Sequence, residues 1–530
     1  MNPNLPPLIV AMMRPDFYPH APQSVELRQT HISYVLIAEP YVYKIKKAIK
    51  FPFVDYSSRT RRRHFCEEEV RLNRRLAPHT YIGVVGISAD DTFKLADSSD
   101  SAEEFAVVMN RLPEHRMLNS MLTTGRVAKT DMTAIAQKLA AFHKQADRSK
   151  AAQYGSVQAI MDNVTANFRD TRRFVGDSIT PSCFDTIKAY SFAFAESHQR
   201  LIAQRSGDGW VCEGHGDLRA EHICFISDTE IFDCIEFDEA LRYGDVAAET
   251  AFLSMDLDFL GHPTLSRTFE IAYGSATGDT ELLTLLPFYK CYRAYVRGKV
   301  ESLKSAEKDL SELERRRARL KATQYFYLSE RYAKGPPAPK LLIVCGKIGS
   351  GKTTVARLLS ARTGFAVLSS DVTRKGLLGI APTQRATNDD RAGAYSEEMT
   401  QKTYASLWAD AKQTLAGGDG VIIDAMFADS AHRRRFMELA SQRQVPFLFI
   451  ECRSAEENVR RRLEGRQNDP HEVSDATWTT YQKLSPQFAP FDDFPDACHV
   501  RIDTDGQLIA HTVIDFFGDM RIAAFRSIPR

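Results

Sequence analysis

Leu341-Leu-Ile-Val-Cys-Gly346-Lys-Ile-Gly-Ser-Gly351-Lys-Thr-Thr354 decides the fold of the second half of this chain. A short apolar run that stops at a glycine reads as a buried strand. The Gly-x-x-x-x-Gly-Lys-Thr segment after it opens a helical pattern, which is the context a phosphate-binding loop requires. The chemistry explains the residue types. Glycines let backbone N–H groups curl around phosphates, and the helix N-terminus adds positive potential. Lys352 reaches β- and γ-phosphates, and the Thr353 hydroxyl can ligate Mg²⁺. Gly346, Lys347, Ile348, Gly349, Ser350, Gly351, Lys352, Thr353 and Thr354 are therefore the expected ATP-binding residues.

Moving outward, the apolar runs Phe365–Leu368, Val421–Ile423, Phe447–Ile450 and Cys498–Ile502 alternate with helical patterns. Buried runs of that length between helices predict an α/β domain with a parallel sheet. Asp424 ends one of the runs, where a carboxylate can hold the magnesium through water. Asp371 and Arg374, in Ser-Ser-Asp-Val-Thr-Arg, follow another and fall at the rim of the site. An Asp there can take the proton of an attacking hydroxyl, and the Arg can clamp a phosphate. The plainer alternative is a helix-capping Asp with a surface Arg. Arg460-Arg-Arg-Leu-Glu-Gly-Arg466 has the place of a lid, with Arg462 and Arg466 on one helix face to neutralise charge on a transferred phosphoryl group; a solvated basic helix is the alternative. On these four motifs, residues 340 to about 520 resemble a P-loop kinase of the AAA-type group that includes polynucleotide 5′-kinases, gluconate-type kinases and zeta-toxin-like kinases. The resemblance implies Asp371 as base and Arg374 as clamp.

The first half ends at Ala333-Lys-Gly-Pro-Pro-Ala-Pro-Lys340, where three prolines and a glycine cannot continue a helix. The expected division is thus 1–332, a linker at 333–340, and 341–530. Just before the linker, Leu303, Leu310, Leu313 and Leu320 are spaced to share one helix face, and Arg315–Arg319, interleaved with glutamates, reads as a solvated face. Strand-like segments near 31–47 and 82–95, then mainly helix from about 130, predict a small mixed lobe at about 20–112 and a helical lobe at 113–332.

Cys212-Glu-Gly-His215-Gly-Asp217-Leu-Arg-Ala-Glu-His222-Ile-Cys224 carries the second candidate site. Its His-Gly-Asp resembles the catalytic loop of aminoglycoside and choline phosphotransferases, which share the protein-kinase-like fold. The resemblance implies a bilobal α+β fold with Asp217 as base. It also implies a metal ligand at 222, where the family's Asn is replaced by His, and a downstream metal acid that is either Asp233 or, by its place before an aromatic, Glu236. Lys44, with Lys46 next, would grip nucleotide phosphates; Glu69 would pair with that lysine, and Val107–Leu112 resembles the hinge between lobes. No glycine-rich loop stands near Thr30–Tyr43. The two resemblances in this order match a bacterial fusion of an aminoglycoside-phosphotransferase-like domain with an ATP-binding kinase-like domain.

Composition sets limits on function. The 530 residues are 43% hydrophobic and 26% charged, the profile of a folded multidomain protein. Lys+Arg at 69 against Asp+Glu at 68 gives a net charge of +1, so any nucleic-acid site must be a local patch. The apolar run Leu8–Met13 is too short for a signal peptide or a membrane span. Nine scattered cysteines without a Cys-x-x-Cys pair suit packed, reduced thiols, so a cytoplasmic protein that meets no membrane is expected. The expected activity is transfer of the γ-phosphoryl of Mg·ATP to a hydroxyl of a small molecule. The rivals are a nucleic-acid 5′ end as acceptor, with Arg433-Arg-Arg435 and Arg460–Arg466 lining a groove, and an ATP-binding regulator with little phosphorylation.

Overall fold

In the computed structural model, which describes residues 5–51, 54–88, 94–96, 102–307, 309–335, 340–380, 384, 396–466, 473–492, 494 and 498–505, contacts divide the chain into two compact units. One is Met1–Asn163 with Phe194–Lys290, the other Val164–Ala193 with Cys291–Arg530. Helices that precede the proline-rich segment thus belong to the second unit, and residues 336–339 of the expected linker lie outside the described residues.

The first unit is built on strands β1 (Glu26–Gln29), β2 (Ser33–Ala38), β3 (Tyr41–Lys46), β4 (Tyr81–Ser88), β5 (Lys94–Ala96) and β6 (Glu104–Asn110). All pair antiparallel in the order β1-β2-β3-β6-β4-β5. β-Branched and aromatic residues fill β2 and β3, and their alternation buries Leu36, Tyr43 and Ile45. The helix Arg59–Asn73 starts at Ser58, whose hydroxyl accepts from the Arg61 N–H. It buries Cys66 and Val70 against Tyr81, Phe105 and Val107 of the sheet, and Glu69, beside Val70, is buried with them. After β6 the chain turns helical, with Lys129–Gln145, Val246–Phe259 and Pro263–Thr277 packed together. In this unit an antiparallel sheet with a helix packed on it is thus followed in the chain by helices.

The second unit holds β7 (Leu341–Cys345), β8 (Ala366–Ser369), β9 (Val421–Asp424), β10 (Phe447–Arg453) and β11 (His499–Asp503). They form a parallel sheet in the order β8-β9-β7-β10-β11. β7 lies in the middle with all five residues buried, because a parallel strand covered on both faces must be apolar throughout. Leu341, Ile343 and Cys345 join Leu407, Phe436 and Phe449 in one core. Leu342 and Val344 point to the opposite face.

The leucine-based helix is corrected: Ser305 ends one helix and Ser311 starts another, its hydroxyl accepting from Glu314 N–H while the Glu314 carboxylate accepts from Ser311 N–H. The four leucines therefore share no face, and Leu303 and Leu313 are exposed. All nine cysteines are free and buried. Among the described residues no helix is long and apolar enough to cross a membrane.

Ile343→Ala empties a fully buried position at the centre of the parallel sheet. It should cost about 2–5 kcal/mol, read as a lower urea midpoint for the second unit's transition.

Candidate functional site

The glycines of the phosphate loop are required by backbone and by space. Gly346 has φ 134°, and a Cβ there would overlap the carbonyl oxygen of Cys452 at the end of β10. Gly351 caps the helix Lys352–Thr363 at φ 87° and faces Thr504. From the first turn of that helix, the Thr353 hydroxyl donates to Asp424 Oδ2 at 2.7 Å. The parallel register of β9 on β7 sets Asp424 beside Val344, which is why strand end and helix start meet. Burial raises the Asp424 carboxyl above its ordinary value against the opposing pull of Lys352 and the Thr353 hydrogen bond, and Asp371 pushes it the same way. Lys352 Nζ donates back to the Lys347 carbonyl at 2.9 Å.

Asp371 lies in the first turn of the helix Ser370–Leu377, and its Oδ1 accepts from Arg374 Nη1 at 2.8 Å. Ser369 occupies the N-cap position, so Asp371 is not the capping residue of the plainer reading. Arg462 is anchored rather than extended as a lid arm. Its guanidinium donates to the Gly349 carbonyl (3.3 Å), Ser454 Oγ (3.2 Å), Thr504 Oγ1 (3.1 Å) and Asp505 Oδ1 (3.2 Å), bracing the loop from behind. Arg466 ends the same helix, half-buried. The oxygen donors of Thr353 and Asp424 suit a hard cation such as Mg²⁺. With its proton given to Asp424, the Thr353 oxygen keeps lone pairs to offer.

The groove expected around Arg433–Arg435 is corrected. Arg433 is fully buried, donating to the carbonyls of Phe427, Ala489 and Pro490 at 2.7–2.8 Å with its plane 3.7 Å from the Phe491 ring. It falls in step with Phe436 and Ala440 on the apolar stripe of its helix, a periodicity that could have signalled burial. Arg435 lies over Trp408. Arg460 and Arg461 pair with Glu464 and Glu457 one turn away.

In the first unit, Glu69 serves two lysines: Oε1 accepts from Lys44 Nζ and Oε2 from Lys46 Nζ, both at 2.7 Å. Lys44 also donates to Asp233 Oδ1 at 2.8 Å, and Lys46 pairs with Glu236, which takes a hydrogen bond from Tyr56 as well. The two candidate metal acids therefore differ. Glu236 is 5% exposed and paired with a buried lysine, whereas Asp233 is 44% exposed and held at φ 63°. Burial acts to raise Asp233, yet Lys44 and the nearby histidines outweigh it and hold the carboxyl below its ordinary range. His222 Nδ1 bonds the Asp217 carbonyl at 2.8 Å, and Nε2 lies 3.6 Å from Asp233 Oδ2.

Asp217 is engaged by Arg219 through Nε (3.0 Å) and Nη2 (3.1 Å), a pairing that the motif alone did not signal. His215, pushed down in pKa by burial, bonds the Phe232 carbonyl at 2.8 Å and fixes the loop. Among the described residues, no three His, Cys, Asp or Glu side chains converge on a point where a metal ion could sit; His222 and Glu236, both expected as ligands, have different partners.

Residues 341–486 match the family model described as AAA domain. Over 487 residues the chain is 30% identical to the uncharacterized protein Rv2004c of Mycobacterium tuberculosis, covering 91% of this chain and 93% of that protein. It is equally similar to the uncharacterized protein Mb2027c of Mycobacterium bovis. Among solved structures, a choline/ethanolamine kinase family protein from Mesorhizobium loti is similar at 10% identity and TM-score 0.38, covering 65% of this chain and 95% of that one. A gluconokinase from Sinorhizobium meliloti is similar at 16% identity and TM-score 0.23, covering 34% and 95%.

The unlike settings of the two acids give a stability test. Glu236→Gln leaves buried Lys46 short of a counter-charge and should cost about 3–5 kcal/mol in chemical denaturation. Asp233→Asn, at a half-open position, should cost clearly less.

Proposed function

This chain belongs to the family of the mycobacterial protein Rv2004c, and on that footing we propose that it is a nucleotide-dependent phosphotransferase that moves the γ-phosphoryl of Mg·ATP to a hydroxyl of a small molecule. One observation carries the reading: the Thr353–Asp424 pair at the mouth of a glycine-built phosphate loop, within a segment that matches the AAA domain family. Lys352, released from the Lys347 carbonyl, takes the β- and γ-phosphates. Mg²⁺, held by the Thr353 hydroxyl and through water by Asp424, would supply neutralising charge to the phosphates. Asp371 accepts the proton of the acceptor hydroxyl as its oxygen bonds to the γ-phosphorus and the bond to the β-phosphate oxygen breaks, leaving ADP. Arg374, already bonded to Asp371, orients that carboxylate and clamps a phosphate oxygen. Arg462 holds the loop in shape, and Arg466 remains the arginine proposed to act from the lid.

A nucleic-acid 5′ end as acceptor calls for a basic groove. The burial of Arg433 and the pairing of Arg460 and Arg461 with glutamates weigh against it. In the first unit, Lys44 and Glu69 are proposed to hold a nucleotide. Asp217 can serve there as a base only when Arg219 lets go of it.

Lys352→Ala should lower labelled-phosphate transfer from ATP by about 10²–10³-fold. Asp371→Asn should lower kcat by about 10²–10⁴-fold with little change in nucleotide affinity. Unchanged transfer in Lys352→Ala together with loss in Asp217→Ala would move the chemistry to the first unit.

A further inference from the structure

We propose that a cavity at the C-terminal ends of β7 and β10 binds a compact organic oxyanion. The cavity encloses about 400 Å³ and includes Lys347 and Ser350 of the phosphate loop, Glu451 and Arg453 of β10, and Arg501 of β11. Chain topology favours this place. From β7 the chain crosses to β8 on one side of the sheet, and from β10 it continues to β11 on the other. Strands that part in this way leave a crevice beyond their C-terminal ends, where ligands of α/β sheets bind.

Charge then selects the ligand. Among the described residues Glu451 is the one carboxylate on the wall, it is buried, and it is over-supplied with cations. It accepts from Arg453 Nε at 2.8 Å, His499 Nε2 at 2.9 Å and Arg501 Nε at 3.4 Å. Lys347 adds a further positive charge to the same wall. Both arginine side chains are more than half exposed. Among the described residues they bond only Glu451, so Arg453 Nη1 and both Nη atoms of Arg501 keep donors for a ligand. The Ser350 hydroxyl, buried on the same wall, has no hydrogen-bond partner among the described residues. Forked guanidinium donors beside a hydroxyl suit a phosphate, sulfate or carboxylate group.

The other wall sets the body of the ligand. It is made of Tyr481, Phe488 and Phe491. Phe491 is clasped between the His499 ring, stacked at 3.9 Å, and the Arg433 guanidinium at 3.7 Å, so it offers a fixed edge rather than a face. A small apolar or aromatic body carrying one oxyanion fits such a wall.

The test is calorimetric titration of the full-length protein with phenylphosphonate, benzoate, neutral benzyl alcohol and the ATP analogue AMP-PNP. Phenylphosphonate or benzoate should bind, the tighter of the two telling a phosphate-type from a carboxylate ligand, and benzyl alcohol should not. Arg501→Gln, which leaves Glu451 its shorter bonds to Arg453 and His499, should weaken anion binding about tenfold and leave AMP-PNP affinity within about twofold. An unchanged melting temperature in that variant excludes unfolding as the cause. Equal binding of the alcohol, unchanged anion affinity in Arg501→Gln, or one-for-one displacement of the anion by AMP-PNP overturns the proposal. No binding of either anion overturns it as well.

Discussion

The carbonyl of Cys452 stands where a side chain on Gly346 would have to go, and the geometry of the second unit follows from that contact. It requires glycine at 346, at a φ of 134° that other residues avoid. It also presses the loop between β7 and its helix against the end of β10. From there the helix must start where Thr353 meets Asp424, and Arg462 must close the far side by bonding the Gly349 carbonyl and Thr504. The sheet supplies the rigidity. β7 is buried along its whole length between β9 and β10, so the two strand ends that frame the loop cannot shift without breaking the core.

The first unit solves a different problem, that of keeping cations inside. Lys46 is wholly buried, and Lys44 nearly so. An isolated ammonium there would be prohibitive, but Glu69 gives one oxygen to each lysine, and Glu236 and Asp233 complete the charge balance. Burial alone would favour neutral lysines; the surrounding carboxylates win, and both stay protonated well above their ordinary range. The helix that carries Glu69 is thereby tied to β3 by charge as well as by apolar packing.

What could be read in advance followed how local the signal was. The three inner strands of the parallel sheet were legible because strands covered on both faces are apolar runs that stop at polar or glycine residues, and the phosphate loop because its glycines answer to backbone geometry within a few residues. In the first unit the order of its motifs along the chain singled out Lys44, Glu69 and Asp233, which the fold brings together. Side-chain direction was not legible. Asp233 and Glu236 are three residues apart, yet the left-handed backbone at Asp233 turns one toward Lys44 and the other toward Lys46. Arg433 looked like a surface charge because its burial depends on carbonyls that arrive from residues 489 and 490. The Glu451 cluster depends on the register that sets Glu451 opposite Arg501 on a strand some fifty residues later, which no local pattern contains.

The burial of every cysteine has a practical consequence. A thiol reacts as thiolate and only when reached by reagent, and burial raises Cys66 and Cys234 in the first unit and Cys452 in the second to about 12. In the native protein such thiols are silent, so slow alkylation becomes a clock for local opening. Cys345 and Cys452 flank the phosphate loop and time the second unit, while Cys66 and Cys234 time the first. Mass-resolved labelling of the unaltered chain can thus follow the two halves separately, with no probe added to either.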